Sequence, residues 1–118
     1  MALTTAGGQH IVATITRESR LALKLEPCVR AFALVKASAV VLVTQDENVR
    51  LSARNQLRGT VVSILPGPGS AEVVLELPGG ASVAASITHP GLQALGVAPG
   101  DPATAVFKAS SVILGVVV

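Results

Sequence analysis

Three polar groupings along this chain, two of them repeated, form a pattern suited to holding a small anion. Thr16 and Thr88 each precede a short segment with helical spacing, where a hydroxyl and free backbone N–H groups favour negative charge. Lys36-Ala37-Ser38 and Lys108-Ala109-Ser110 each put a cation, exposed N–H groups and a hydroxyl at a bend between two apolar segments. Ser52-Ala53-Arg54-Asn55 opens a long apolar segment, and on an extended strand Ser52 and Arg54 share one side at i and i+2. Hydroxyl donors, amides and fixed cations are the chemistry of oxyanion binding. Each element alone also has a structural explanation. Threonine is a common N-cap, a strand lysine is commonly a solvated edge charge, and Ser and Asn near a strand start are common turn residues. The combination stands out because Thr and Lys-Ala-Ser both recur at one offset while most surface positions have diverged.

No catalytic set accompanies these residues. His10 and His89 occupy non-equivalent places and have no neighbouring carboxylate or cysteine at a metal-binding spacing. The carboxylates are scattered, without the pairing used in glycoside hydrolysis. Pro66-Gly67-Pro68-Gly69 lacks the glycine spacing and following lysine of a phosphate loop, and reads as a turn. No activated nucleophile is visible. The expectation is a binding protein, not an enzyme.

The elements that must position these groups come from a tandem duplication. Displaced by 72 positions, the sequence lands on itself without a gap: Gly7-Gly8 on Gly79-Gly80, Ile15-Thr16 on Ile87-Thr88, Ala22-Leu23 on Ala94-Leu95, Pro27 on Pro99. Roughly 16 of 46 aligned positions are identical, the mark of an internal repeat. In the second copy, strands are expected over about 51–65, 72–77, 81–87, 103–108 and 111–117. Pro66-Gly67-Pro68-Gly69 and Pro78-Gly79-Gly80 supply turns. Thr88 caps a short helix with Pro90 in its first turn, buries Leu92, Leu95 and Val97, and is ended by Gly96 or Gly100. The first copy repeats this from its second strand onward. Residues 9–15 return from the Gly7-Gly8 turn, Thr16 caps a helix carrying Leu21, Leu23 and Leu25, Pro27 turns the chain, and residues 31–43 supply the closing strands. Residues 44–49 form a polar, acidic linker. The counterpart of residues 51–70 would precede Met1. A barrel without that strand exposes two edges, so we expect obligate oligomerisation, a strand supplied in trans, or a shortened chain.

Composition narrows the class. Half of the 118 residues are apolar, yet Phe32 and Phe107 are the only aromatics, so Val, Ile, Leu and Ala must build the core of an all-β fold. Residues 31–43 are too short a run to span a bilayer and contain Lys36 and Ser38. The N-terminus lacks the basic start and apolar stretch of a signal peptide. The single cysteine, Cys28, sits in an expected turn, forms no intrachain disulfide and fits a reducing compartment. A net charge of +2 does not by itself imply nucleic acid, but permits a small anion where positive charge is locally concentrated. A base-stacking barrel would need more aromatic platforms than two Phe.

Two segments carry a family resemblance. Leu51-Ser52-Ala53-Arg54-Asn55-Gln56-Leu57-Arg58-Gly59-Thr60-Val61 resembles the opening of the Mop unit of molbindins, a TOBE-type molybdate-binding barrel. Phe107-Lys108-Ala109-Ser110-Ser111-Val112-Ile113-Leu114-Gly115 resembles that unit's other signature. The resemblance implies OB-fold-like five-stranded barrels, each with a short helix: an incomplete unit over residues 1–46 and a complete one over 49–118. It implies molybdate or tungstate bound where units meet, for molybdenum storage or homeostasis in the cytoplasm. The alternative it offers is the molybdate-sensing part of a transcriptional regulator without its DNA-binding domain. Carried over by position, Ser52, Arg54, Thr16, Ser19, Thr88, Lys36, Ala37, Ser38, Lys108, Ala109 and Ser110 become the candidate ligands. No organic cofactor, membrane or nucleic acid is implied for this chain alone. A homo-oligomer is implied, with a trimer favoured and a dimer as the other order. Gly91 stands where the first copy has Ser19, and the first copy lacks its own Ser-Ala-Arg-Asn strand. Fewer anions per chain are therefore expected than in an intact two-unit member.

Overall fold

A computed structural model of the chain describes residues 1–26, 30–44 and 50–117. The expected turn at Pro27, Cys28 and most of the linker lie outside the described residues. Nine strands, two α-helices and two 3-10 turns follow in the order β1 (Ala2–Thr4), β2 (His10–Val12), α1 (Arg17–Ala22), β3 (Ala31–Val35), a 3-10 turn (Ala37–Ala39), β4 (Val41–Val43), β5 (Asn55–Pro66), β6 (Ser70–Glu76), β7 (Ser82–Thr88), α2 (His89–Leu95), β8 (Pro102–Phe107), a second 3-10 turn (Ala109–Ser111) and β9 (Val112–Val116). Each element from β1 to β4 has its counterpart 72 positions on, and β5 has none.

Alternation builds the sheet. Along β6, Ala71, Val73 and Leu75 point into the core while Glu72 and Glu76 point out. β8 lies between β4 and β5 in the five-stranded sheet β4-β8-β5-β6-β7, and its residues from Ala103 to Phe107 are all buried. Its alanines let the flanking layers approach where bulkier side chains would collide. β5 is the longest strand and serves two neighbours. Its first half pairs with β8 and its second half with β6, with a register shift between Val61 and Ser63 that bends it from one to the other. Leu57, Val61, Val73, Leu75 and Ala85 belong to one core that also takes Leu42 from β4 and Leu114 from β9.

The closing strands are exchanged between the two copies. β4 of the first copy pairs with β8 of the second, and β9 of the second pairs with β3 of the first. The registers match. Applying the 72-residue offset to Val41↔Val106 gives Ile113↔Leu34, a pair observed in the β3–β9 ribbon. A pseudo-two-fold relation therefore holds at single-residue precision. The sequence reading put both closing strands of each copy in its own barrel. The structure corrects this, because an antiparallel ribbon joining the copies covers edges that would otherwise be open.

The repeated glycines sit where the copies touch. The turns after β1 and β6 meet back to back, and a methyl group on Gly7 would overlap the Pro78 carbonyl. Gly79, at φ +94, faces the Gly7 backbone. Gln9 Nε2 donates to the Pro78 carbonyl at 2.7 Å across the same contact. Close approach of two backbones is one of the places where only glycine fits.

Two local expectations change. β5 begins at Asn55 and not near Leu51, so Ser52 and Arg54 lie in bends ahead of the strand. Leu21 is largely exposed, while Leu25, past the helix end, is buried. α1 has only six residues and contains no buried one, so its anchoring falls to Leu23 and Leu25. α2 ends as expected at Gly96, in the left-handed conformation at φ 65.

Candidate functional site

Two concave surfaces hold five of the eleven candidate residues. The first, about 630 Å³, is lined by Lys36, Ala37 and Ser38 of the first copy and by Ser70, Glu72 and Ser86 of the second. The 3-10 turn after Lys36 packs on β7, so the lysine and Ser38 stand exposed beside the other copy's sheet. His89 is close by, with its Nε2 at 2.8 Å from the Gly67 carbonyl. Glu72 is the unfavourable neighbour for a dianion here.

The second concavity, about 880 Å³, contains Thr14, Thr16, Arg17, Arg20 and Arg54. Thr14 is the 72-residue counterpart of Ser86, the one lining position that the two surfaces share under the internal repeat. The second 3-10 turn docks here as the first docks on β7: the Thr14 N–H donates to the Ala109 carbonyl at 3.0 Å. Lys108 and Ser110 flank this contact and are exposed, whereas Ala109 is buried and offers only its backbone. Three guanidiniums around one concavity, with Glu18 the acidic residue in the adjacent helical turn, make it the more cationic of the pair.

The threonines act first as helix caps. Thr16 Oγ1 accepts from the Ser19 N–H at 3.0 Å and donates to Ser19 Oγ at 2.9 Å. That leaves the Ser19 hydroxyl proton free to donate outward. Thr88 Oγ1 accepts from the Gly91 N–H at 3.2 Å. A Cβ on Gly91 would stand 3.1 Å from Thr88 Oγ1 and 3.2 Å from Ile87 Cγ2, so a side chain there would need a small shift of these neighbours. With helices of six and seven residues, little macrodipole is available, and hydroxyl and guanidinium groups must carry the electrostatics instead. Ser52 is exposed in its bend, and the structure does not bring it into either concavity. Thr88, Ser19, Lys108, Ala109 and Ser110 are likewise outside both linings.

Sequence reasoning undervalued Asn55. This side chain is 1% exposed. Its Oδ1 accepts from the Val12 N–H at 2.7 Å and its Nδ2 donates to the Val12 carbonyl at 2.8 Å. The amide thus satisfies the edge of β2 that faces away from β1, and sets Arg54 next to the concavity. The signal was present as the only amide in the Ser-Ala-Arg-Asn run. Its partner, a backbone 43 residues away, was not visible. Among the described residues no group of three or more His, Cys, Asp or Glu side chains could hold a metal ion, and no helix is long and apolar enough to cross a membrane.

Comparison with known proteins shows the family and the fold. The TOBE domain profile matches residues 2–42 and 51–114. The molybdenum transport protein ModE of Herbaspirillum seropedicae is 51% identical over 114 residues, covering 97% of this chain and 42% of that protein. The molybdenum-pterin-binding protein MopA of Rhodobacter capsulatus is 46% identical over 112 residues, covering 95% of this chain and 42% of that protein. The chain thus spans about two fifths of the length of these curated relatives. A crystal structure of the cytoplasmic molybdate-binding protein ModG with molybdate bound superposes with a TM-score of 0.94 at 43% identity, covering 98% of this chain and 82% of that one. Two matched regions in one chain, the OB-like sheet and the repeated Lys-Ala-Ser turns identify the chain as a member of the TOBE-domain family, of the Mop or molbindin type.

Proposed function

We propose that this protein binds molybdate or tungstate at the junctions between its two units, residues 1–46 and 49–118, and serves molybdenum storage or homeostasis in the cytoplasm. The observation that carries the reading is the placement of the two Lys-Ala-Ser turns. The first packs on β7 of the other copy and the second is hydrogen-bonded to Thr14 of the other copy, each beside a concavity that holds hydroxyls and cations. A tetrahedral dianion in such a place accepts hydrogen bonds from hydroxyls and amides while lysine and arginine offset its charge. The proposed ligands at the more cationic junction are Thr16, Ser19, Arg54, Lys108 and Ser110, with the Ala109 backbone. At the other they are Lys36, Ser38 and the Ala37 backbone. The role is binding and not catalysis. Ser52 and Thr88 stay in the proposed set only through contacts with a further copy of the chain. Assembly is supported by the outward side chains of the β3–β9 ribbon, where Phe32, Leu34 and Ile113 are exposed together.

The test is a calorimetric titration with molybdate, tungstate, sulfate and phosphate. The two larger anions should bind tightly and the other two much more weakly. Lys108→Ala should weaken molybdate binding by about tenfold or more, the scale of one charge-assisted hydrogen bond. Lys36→Ala tests the other junction. Equal affinity for sulfate and molybdate, or unchanged affinity in both variants, refutes the reading. A second reading is supported by the extent of the match to ModE: the chain would be the anion-sensing portion of a longer regulator. It uses the same junctions and differs in what is attached to them.

A further inference from the structure

The two concavities differ in more than their number of cations. The one beside Arg54 has no carboxylate in its lining, whereas the one beside Lys36 contains Glu72. The sheet fixes where that carboxylate stands. β6 alternates, so Glu72 points away from the core that takes Ala71 and Val73. The registers set Glu72 opposite Leu65 on β5 and opposite Ser86 on β7. All three line the concavity as one row across the sheet, with Ser70 one step along the same face. The 3-10 turn that packs on β7 places Lys36 and Ser38 beside this row. Glu72 therefore belongs to the floor of the concavity.

Counting donors and acceptors shows which anion suits such a floor. The lysine and the serine hydroxyls can donate, while a carboxylate can only accept. A tetrahedral oxyanion without a proton also only accepts, so it would meet Glu72 acceptor to acceptor and with like charge. An oxyanion that keeps one proton can turn its O–H to the carboxylate and its other oxygens to Lys36 and the hydroxyls. A group that penalises the wrong ligand selects as well as one that attracts the right one. The other titratable groups around Glu72 are Lys36, Glu76 further along β6, and His89 at the start of α2, whose Nε2 is engaged with the Gly67 carbonyl at 2.8 Å. β5 and β7 set uncharged residues opposite it.

Resting on the reading of both junctions as oxyanion sites, we propose that Glu72 is the specificity-determining residue of the Lys36 junction. It makes that junction a site for a monoprotonated tetrahedral oxyanion, of which hydrogenphosphate is the simplest, and leaves molybdate to fill the Arg54 junction first. With one lysine in the lining against three guanidiniums, hydrogenphosphate at the first still binds more weakly than molybdate at the second.

The test is a titration of the full chain with inorganic phosphate and, separately, with sulfate at about pH 8, read from amide chemical shifts. Both are then dianions of similar shape, and only phosphate carries a proton. The Ala37, Ser38 and Ser86 amides report the Lys36 junction. Phosphate should bind there about tenfold or more tightly than sulfate, the scale of one hydrogen bond to a charged group. Glu72 is exposed, so Glu72→Gln should keep the fold. In that variant the ratio should fall to about one, chiefly because sulfate binds more tightly, since a carboxamide both donates and accepts. Equal phosphate and sulfate affinity in the unaltered chain would overturn the proposal. So would an equal gain for both anions in Glu72→Gln, which charge repulsion alone would give, or a Lys36 junction that responds to neither. Molybdate read at the Thr14 and Ala109 amides checks the Arg54 junction separately. Its failure there would refute molybdate binding at that junction, while the phosphate-to-sulfate ratio would still decide the role of Glu72.

Discussion

Replacing Asn55 by alanine should destabilise the protein out of proportion to the few atoms removed. The side chain makes two bonds, 2.7 and 2.8 Å long, to the N–H and carbonyl of one residue, Val12. Each bond contributes about 1 kcal/mol net, and a backbone group left without a partner costs about 1–3 kcal/mol more when water is slow to reach it. Val12 is only half-buried, so partial solvation offsets some of the loss. The expected cost is about 2–4 kcal/mol, or on the order of 8–16 °C in melting temperature for a chain of this size. Urea unfolding followed by circular dichroism measures it. Exchange at the Val12 amide adds a local readout, since that proton should become the first in β2 to exchange. Asn55→Asp keeps the acceptor for the Val12 N–H but turns the donor into an oxygen facing the Val12 carbonyl, so it should cost at least as much as alanine. A loss below about 0.5 kcal/mol in Asn55→Ala, the range of an ordinary surface substitution, would refute the claim that this amide fastens β2.

Three further outcomes follow from the same structure. Thr16→Val removes the oxygen that caps the Ser19 N–H and should cost about 1 kcal/mol in urea unfolding; because Ser19 also loses its hydroxyl partner, molybdate affinity should fall in the same variant by calorimetry. Gly79→Ala meets both a φ of +94 and the Gly7 backbone, and should cost about 2 kcal/mol or more by thermal unfolding. Arg54→Gln removes one of three guanidiniums at the second concavity; the stability curve should hardly move, while the salt dependence of molybdate binding should become shallower.

Much of the fold was legible because its signals are local. The glycine pairs, the capping threonines and the apolar alternation of residues 70–76 each mark an element without reference to distant partners. The duplication was legible because identity at a fixed offset needs no structure. The exchange of β4 and β9 was not, because an alternating apolar strand has the same pattern whichever sheet receives it. The start of β5 was misplaced because Leu51 extends the apolar run, while the strand begins only where Asn55 finds Val12. Of the site, the Lys-Ala-Ser turns were legible as repeated polar residues at a bend. The approach of Arg17 and Arg20 to Arg54 was not, since residues on a solvated helix give no sign of what lies across from them.

The exchanged strands also separate heredity from folding. Copying a gene segment duplicates residues in a block, and the block here ends near residue 46. The smallest thing that buries a complete core is not that block, because β8 lacks a neighbour without β4 and β9 lacks one without β3. A lone block set free in solution would seek another of its kind. An ancestor with a single copy is therefore best pictured as an intertwined pair of polypeptides, which fusion later made permanent by joining their ends.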